Sequence, residues 1–314
     1  MTQPAASAAQ EFATGFLRTA IRPHGPGHLW IRRPGDDRPV PLSGPTAPVR
    51  AALTALRPRG LRLALPEVAG DALHYQVPGP VPVAKLCVGR DPGLPPRLVA
   101  GALSGTGAAL RLLHTAVPAD LAVCGPPGPA RLASWMDAGD GPRAARAFHT
   151  VVLRRLGTAR WNLVGEWCRS LATDLSGGVF LHGAPGLGSV VVGDTPDGGC
   201  LLSGEDVARG PADFDLGWLL GEFVEWRMTL LRRTPGLDLD PDDFHTALDA
   251  LAEGYGAPAD PVAAGRAAVL RVFTHAHDFA AYMGWHPELL EYSVKIAELI
   301  DDEGAQALAR PARP

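Results

Sequence analysis

The spacing of apolar positions changes near residue 90 of this 314-residue chain. Before that point, short apolar runs are separated by glycine and proline, a pattern typical of strands and turns. Strands are predicted over 28–33, 40–43, 61–68, 73–77 and 81–88, and one helix over 46–56. The first part of the chain is therefore predicted to be a small sheet with one helix.

Beyond residue 90, apolar residues recur at helical spacing. Val99, Leu103, Leu110 and Leu113 fall on one helical face, and no proline interrupts them before Pro118. Helices are also predicted over 141–175 with a break near Gly157, along an apolar stripe at 216–230, and over 241–254, 261–283 and 287–308, with short strands at 179–181, 190–192 and 200–202. The chain is thus predicted to be α+β, with a β-rich N-lobe at 11–90, a helical C-lobe at 91–308 and irregular tails at 1–10 and 309–314.

Composition and charge narrow the class of partner. A formal net charge of −4 gives no basic field for nucleic acid, so no nucleic-acid partner is expected. The four cysteines lie far apart without a C-x-x-C pair, which is typical of reduced thiols, and we expect a cytoplasmic protein. No run of about 18 apolar residues occurs, so no membrane span is expected.

Several short strings follow one another along the helical lobe in a fixed order. They are Leu-Arg-Leu-Leu-His at 110–114, Leu-His-Gly at 181–183, Val-Val-Val at 190–192, Leu-Leu-Ser at 201–203 and Pro-Ala-Asp-Phe-Asp-Leu-Gly-Trp-Leu-Leu at 211–220. Their order and spacing resemble the aminoglycoside phosphotransferase superfamily. The resemblance implies a two-lobed, protein-kinase-like fold and phosphoryl transfer from Mg-ATP.

The same resemblance implies where catalytic groups should lie, and most of them are absent. The catalytic Asp of the family follows His-Gly, and the corresponding position after His182 is Ala184. The metal-binding Asn corresponds to Ser189 and the magnesium-binding Asp to Ser203. A methyl group accepts no proton, and serine hydroxyls are poor ligands for a hard cation that prefers carboxylates. The loop is therefore expected to be degenerate.

Charged residues near these positions leave alternatives open. Glu205 and Asp206 follow the vacated metal position and could hold magnesium by a rearranged route, or they could form a solvated acidic turn. The resemblance also implies a phosphate-binding lysine, and neither Lys85 nor Lys295 lies where it is expected. Arg32 or Arg33 could bind phosphate in its place, or both could be solvated charges on an exposed hairpin.

Two structural roles are also implied around the loop. His182 could act as a general base, but in the family the equivalent histidine mainly ties the loop together. Asp213 or Asp215 would be the structural acid that opens the next helix, where a carboxylate can accept the free N–H groups of the first turn.

A narrower resemblance points to a pathway. Residues 182–189 and 203–206 look like the phosphotransferase-type subunit of class V lanthipeptide and thioamitide biosynthesis. That resemblance implies Ser/Thr dehydration of a ribosomal precursor peptide, with the peptide and a HopA-type lyase as partners. Two functions are compatible with it. The chain is either a pseudokinase-like binding subunit or an unorthodox kinase that phosphorylates peptide Ser/Thr with Mg-ATP by means of Glu205 and Asp206.

Overall fold

The N-terminal part of the chain forms a five-stranded antiparallel sheet. The structure is a computed structural model that describes residues 10–89, 91, 94–232, 237–238, 240–256 and 260–308. The first strands are β1 (Gln10–Ala13), β2 (Leu17–His24), β3 (Gly27–Pro34), β4 (Leu61–Ala64), β5 (Glu67–Ala69) and β6 (Ala72–Val77), with helix α1 (Ala47–Ala55) between β3 and β4. The five-stranded sheet has the order β1-β2-β3-β6-β5.

One face of this sheet is apolar because cross-strand neighbours place large side chains side by side. Ile21 pairs with Trp30, and Trp30 pairs with Tyr75, in the registers of β2, β3 and β6. All three side chains are buried. They pack against residues from the second half of the chain, namely Val191, Cys200 and Leu202.

The second half of the chain is mainly helical. Its helices are α2 (Pro96–Ala116), α3 (Pro127–Ala138), α4 (Ala145–Thr173), α5 (Asp213–Arg232), α6 (Pro241–Tyr255), α7 (Pro261–Tyr282), α8 (Glu288–Asp301) and α9 (Ala305–Leu308), and its strands are β7 (Val179–Leu181), β8 (Val190–Val191), β9 (Gly199–Leu202) and β10 (Ala208–Gly210). Asp240 and Asp260 cap α6 and α7 by accepting first-turn N–H groups. The predicted α+β class, a small β-rich part followed by a large helical part, is confirmed.

The two parts of the chain share a sheet and a core. Strand β4 pairs in parallel with β9, and β8 pairs with β9 on the other side. Val49, Leu53 and Leu61 belong to the same buried cluster as many residues of α2 and α5. The predicted boundary at residue 90 stays a prediction, but residues 47–64 already contribute to the core of the helical part.

Several predicted elements agree with the structure. The helices at 241–254 and 261–283 and the strands at 179–181 and 200–202 are confirmed within a residue or so. Gly157 breaks α4, because its φ of 70° and ψ of 170° are not helical. Among the described residues, no helix is both long and apolar enough to cross a membrane.

Other predicted elements are wrong. Residues 40–43 form no strand, because Pro39 and Pro41 remove backbone donors there. Residues Val83–Val88 form a 3₁₀ helix rather than a strand. Pro66 divides the strand predicted at 61–68, and Gly304, at φ 79°, separates α8 from α9 in the helix predicted at 287–308. Strands β1 and β2 were not predicted, and β1 begins at the last residue of the tail assigned to 1–10. Residues 1–9 and 309–314 lie outside the described residues.

Candidate functional site

The loop after β7 is held by one buried carboxylate. Asp215, at the start of α5, accepts the backbone N–H groups of His182 and Gly183 at 2.7 and 2.9 Å. It also lies 3.0 Å from Nε2 of His114, whose other ring nitrogen is 3.1 Å from the hydroxyl oxygen of Tyr255. Asp215 thus connects α2, α5 and the loop. The two acids that the sequence left open differ here, because among the described residues Asp213 accepts a hydrogen bond from the exposed N–H of Asp260 alone.

His182 ties this loop to the neighbouring strand. Its Nε2 lies 2.8 Å from the carbonyl oxygen of Leu202 at the end of β9, and its Nδ1 is buried without a partner among the described residues. The next residue, Gly183, has φ of 90°, and a Cβ there would lie 1.7 Å from the carbonyl oxygen of Asp206. Only glycine fits this position, because the two backbone segments touch.

A cleft of about 840 Å³ lies between the five-stranded sheet and the helices. Ala184 and Ser189 line it, as the resemblance implied for the catalytic loop. Ser203 does not line it, and its hydroxyl donates to the carbonyl of Leu201 at 3.2 Å. Ser203, which corresponds to the magnesium-binding Asp of the family, therefore directs its side-chain hydroxyl to the protein backbone.

Arg32 and Glu205 form a partly buried ion pair on the wall of the cleft. Nη1 of Arg32 donates to Oε1 of Glu205 at 2.8 Å, and the hydroxyl of Tyr75 donates to the same oxygen at 2.5 Å. The side chains of Arg32 and Glu205 are only 13% and 11% exposed. Burial alone would raise the pKa of Glu205, but the charge of Arg32 and the two hydrogen bonds hold this pKa below its ordinary value.

These contacts correct two expectations. Glu205 does not belong to a solvated turn, because Arg32 and Tyr75 enclose it. Arg32 is not a solvated hairpin charge either, although its neighbour Arg33 is exposed and does not line the cleft.

Asp206 differs from Glu205 in having no such partner. Its side chain lines the cleft and, within the described part of the chain, makes no hydrogen bond or salt bridge. Burial raises the pKa of Asp206, and the charge of Glu205 raises it further, while the charges of Arg38 and Arg131 oppose both effects. Of the two acids that follow Ser203, Asp206 is therefore the one whose carboxylate is not engaged by the described residues and can contact a ligand.

A polar stripe on α7 forms the helical side of the cleft. Asp278 accepts two hydrogen bonds from Arg131 of α3, at 3.1 and 2.6 Å, and lies 2.8 Å from Nδ1 of His277. These contacts hold the pKa of Asp278 far below its ordinary range despite burial. The sequence contained a signal for this stripe, because Arg271, His275 and Asp278 recur at i, i+4 and i+7 on a helix that is otherwise largely buried.

Arg271 connects that stripe to the loop between β7 and β8. It donates to Glu222 at 2.7 Å and to Glu225 at 3.1 Å, both on α5. Glu222 in turn accepts the backbone N–H of Leu187 at 2.6 Å. Burial raises the pKa of Glu225 to about 8, with the charge of Arg271 opposing and that of Glu222 adding to the shift. The loop at 186–189 is thus anchored to α5 and α7 by charged groups.

A second cavity of about 660 Å³ lies next to the first. Residues 39–43 form one of its walls, and Trp135, His277 and Tyr282 contribute to another. The two cavities share the side chains at their junction, namely Phe16, Arg38, Pro127, Arg131, Glu205 and Asp206.

The residues of the cleft do not fit a magnesium ion in the manner of the family. Ala184 has no ligand atom, and Ser203 directs its hydroxyl elsewhere. Of the two acids that follow Ser203, Glu205 is engaged by Arg32 and Tyr75, and Asp206 alone cannot make up a ligand set. No group of three or more histidine, cysteine or carboxylate side chains able to hold a metal occurs in the described ranges.

No protein-family model and no curated protein matches the sequence. The chain is similar to the solved structure of a macrolide 2'-phosphotransferase type I, with 16% identity, a TM-score of 0.41, and coverage of 96% of this chain and 91% of that one. It is also similar to a choline/ethanolamine kinase family protein from Mesorhizobium loti (14% identity, TM-score 0.45, 97% and 88% covered). A putative aminoglycoside phosphotransferase from Ralstonia eutropha shows 11% identity and a TM-score of 0.43, with 96% and 92% covered.

Proposed function

We propose that this chain is a kinase-fold subunit of the pseudokinase type, which binds a peptide rather than transferring phosphate to it. The observation that carries the proposal is the ion pair between Arg32 and Glu205. A kinase needs a cation on the nucleotide phosphates and acids on the metal. Here Arg32, the cation expected on the phosphates, and Glu205, one of the two acids expected on the metal, neutralise each other inside the cleft, so neither of these two is free for Mg-ATP.

The peptide is proposed to be a ribosomal precursor with Ser or Thr residues that are dehydrated, and the second partner to be a HopA-type lyase. The support for this is the resemblance at 182–189 and 203–206, together with the size of the cleft. A cavity of about 840 Å³ falls in the range of sites that hold small ligands or several side chains.

The test uses the purified chain with the precursor peptide, the lyase and Mg-ATP, and follows the mass of the peptide. A binding subunit should form a complex with the peptide and leave its mass unchanged when the lyase is omitted. A gain of the mass of one phosphoryl group without lyase would show that the chain is a kinase.

The second candidate function is an active phosphotransferase, and Asp206 is the observation that favours it. Its carboxylate lines the cleft and makes no hydrogen bond or salt bridge to the described residues. Its backbone touches Gly183, next to the position where the family has its catalytic acid. Asp206 would then accept the proton of the attacking hydroxyl. In that case Asp206→Asn should abolish peptide phosphorylation, whereas Asp71→Asn, at an exposed turn, should not.

A further inference from the structure

A long stretch in the first part of the chain has basic residues and no acidic ones. Residues 38–66 contain five arginines but no Asp or Glu, although the whole chain has a net charge of −4. Arg50, Arg57 and Arg62 form no salt bridge within the described part of the chain and donate to backbone carbonyls instead. This stretch therefore carries positive charge that these contacts leave without a counter-charge.

The same three arginines line a groove between α1 and β4, which we call the α1–β4 groove. It has a volume of about 430 Å³ and shares no described lining residue with the two cavities of the candidate site. Most of its other lining residues are leucines, of which Leu56, Leu63 and Leu65 are half-buried. Arg57 and Arg62 are exposed, so another molecule can reach their guanidinium groups.

Backbone carbonyls hold these guanidinium groups in place without neutralising them. Nη1 of Arg57 donates to the carbonyls of Thr54 and Leu56 at 2.6 and 2.7 Å. Nη2 of Arg62 donates to the carbonyl of Gln76 at 2.6 Å. Because a guanidinium group has five N–H donors, both arginines keep donors for a carboxylate, with which they can form charge-assisted hydrogen bonds.

Strand β4 has an open edge beside this groove. It is the outermost strand in the order β4-β9-β8, so β9 is its one strand partner in the described part of the chain. The N–H of Ser203 donates to the carbonyl of Ala64 at 2.9 Å, which places the backbone groups of Ala64 on the β9 side. Backbone groups of successive residues in a strand point to opposite edges. Those of Leu63, which lines the groove, therefore point to the open edge.

The chain itself has no free acidic segment that could cover this groove. Every Asp and Glu lies among the described residues, and none of them lines the groove. The tails at 1–9 and 309–314 contain no acidic residue, so neither tail complements the charge of the three arginines. A carboxylate for these arginines must therefore come from another molecule.

We propose that the α1–β4 groove docks an extended segment of another protein chain in which acidic and apolar residues are interspersed. Its carboxylates pair with Arg57 and Arg62, its apolar side chains pack on the leucines, and its backbone adds a strand to β4 at Leu63. In such complexes main-chain hydrogen bonds give affinity and side chains give specificity. The groove lies outside the cleft, so this proposal goes beyond the proposed function and does not depend on it.

The test measures binding of a rhodamine-labelled peptide to the full chain by fluorescence anisotropy. The probe is a short capped peptide in which glutamate and valine alternate. Two comparison peptides alternate glutamate with glycine and lysine with valine. We expect saturable binding of the probe that weakens as salt is added, and binding of both comparison peptides that is weaker by about tenfold or more.

A matched pair of double variants tests the role of the arginines. Arg57→Gln/Arg62→Gln should weaken binding of the probe by about tenfold or more, because charge-assisted hydrogen bonds are lost. The control Arg22→Gln/Arg33→Gln removes the same charge at exposed positions outside the groove and should leave binding unchanged. Urea unfolding shows whether both double variants are folded.

Methylated probes test the strand pairing on the unaltered chain, so their result does not depend on how any variant folds. N-methylation removes a backbone donor, and only alternate residues of an added strand face β4. One form of the probe is methylated at its valines and the other at its glutamates. One of the two forms should bind more weakly by about tenfold or more, and the other should bind like the unmethylated probe.

The proposal is overturned if the probe does not bind, if the two methylated forms bind equally well, or if the folded Arg57→Gln/Arg62→Gln variant binds like the unaltered chain. It is also overturned if sedimentation shows a dimer that this variant makes monomeric, because a second copy of the chain would then occupy the groove. The proposed function fails separately, when neither the precursor peptide nor the lyase forms a complex with the chain, and the probe can still bind in that case.

Discussion

Three carboxylates near the loop after β7 have different environments, and these environments decide which contacts each carboxylate can make. Asp215 is fully buried and accepts two backbone N–H groups. Glu205 is paired with Arg32 and Tyr75, whereas Asp206 faces the cleft and makes no hydrogen bond or salt bridge to any residue that the structure describes. Asp215 is therefore a structural anchor, Glu205 is one half of an ion pair, and Asp206 can contact a ligand.

Through its ion pair with Arg32, Glu205 is expected to contribute to the free energy of unfolding. Glu205→Gln removes the charge that compensates Arg32 at a site where both side chains are mostly buried. We expect the free energy of unfolding to fall by about 3 kcal/mol, because a buried charge then lacks its partner. Urea unfolding measures this change. The control is Arg33→Gln, an exposed position next to Arg32 on β3, which should change the free energy of unfolding by no more than about 0.5 kcal/mol. Equal stability of Glu205→Gln and the unaltered chain would contradict the enclosed pair.

The acid that opens α5 can be identified by a matched pair of variants. Asp215→Asn replaces a carboxylate that accepts from His182 and Gly183, and should cost about 3 kcal/mol of unfolding free energy. Amide hydrogen exchange at these two residues should accelerate as the loop loosens. Within the described part of the chain, Asp213→Asn affects one hydrogen bond, from the exposed N–H of Asp260, and should cost less than about 1 kcal/mol. The reverse order of the two effects would assign the structural role to Asp213.

At the scale of elements, the packing of α5 against α7 includes an acid that is neutral at moderate pH. Burial raises the pKa of Glu225 from 4.5 to about 8. Between these values the folded protein keeps a proton that the unfolded chain releases. Stability from this group is therefore present at low pH and is lost as pH rises toward 8.

The expected result is a free energy of unfolding that decreases from about pH 5 to pH 8, by up to about 1.4 kcal/mol per pH unit from this group. Glu225→Gln should flatten the curve relative to the unaltered chain, since glutamine does not titrate. Urea unfolding across this interval gives the comparison, with Glu253→Gln, exposed on α6, as the control. A slope that persists in Glu225→Gln would show that another group causes it.

Helices were easier to predict than strands because their signals are local. Proline at the first turn and apolar spacing give α6 and α7. Strand β2 was not predicted because Arg18, Arg22 and Pro23 interrupt the alternation of apolar and polar residues along it.

Part of the site could not be predicted from the sequence either. The positions of Ala184 and Ser189 followed from motif order, but the pairs Arg32–Glu205 and Arg131–Asp278 join residues 173 and 147 positions apart, and only the fold brings them together.

For the whole molecule, the shared core bears on how independently the N-terminal part can fold. Val49, Leu53 and Leu61 pack among helical residues, and β4 pairs with β9. A fragment of residues 10–90 should therefore lack a cooperative unfolding transition and a dispersed NMR spectrum when expressed alone. A folded fragment with a sigmoidal urea curve would support an autonomous lobe ending near residue 90.

The composition of the cleft also predicts the response to nucleotide. With Glu205 paired and Ser203 bonded to backbone, millimolar Mg-ATP should raise the melting temperature no more than ATP in EDTA does. Differential scanning fluorimetry makes this comparison. A rise of several degrees that disappears when magnesium is removed would favour the phosphotransferase over the binding subunit.

The ion pair between Arg32 and Glu205 also has a consequence for inheritance. A mutation at either position alone leaves one mostly buried charge without its partner, which lowers the stability of the protein. Such alleles should therefore be selected against even where no activity is lost. Among natural sequences of this kind, the two positions should change together or not at all. A gene that keeps the cation at position 32 but has lost the acid at 205 would mark a lineage in which that cation is free to meet a phosphate.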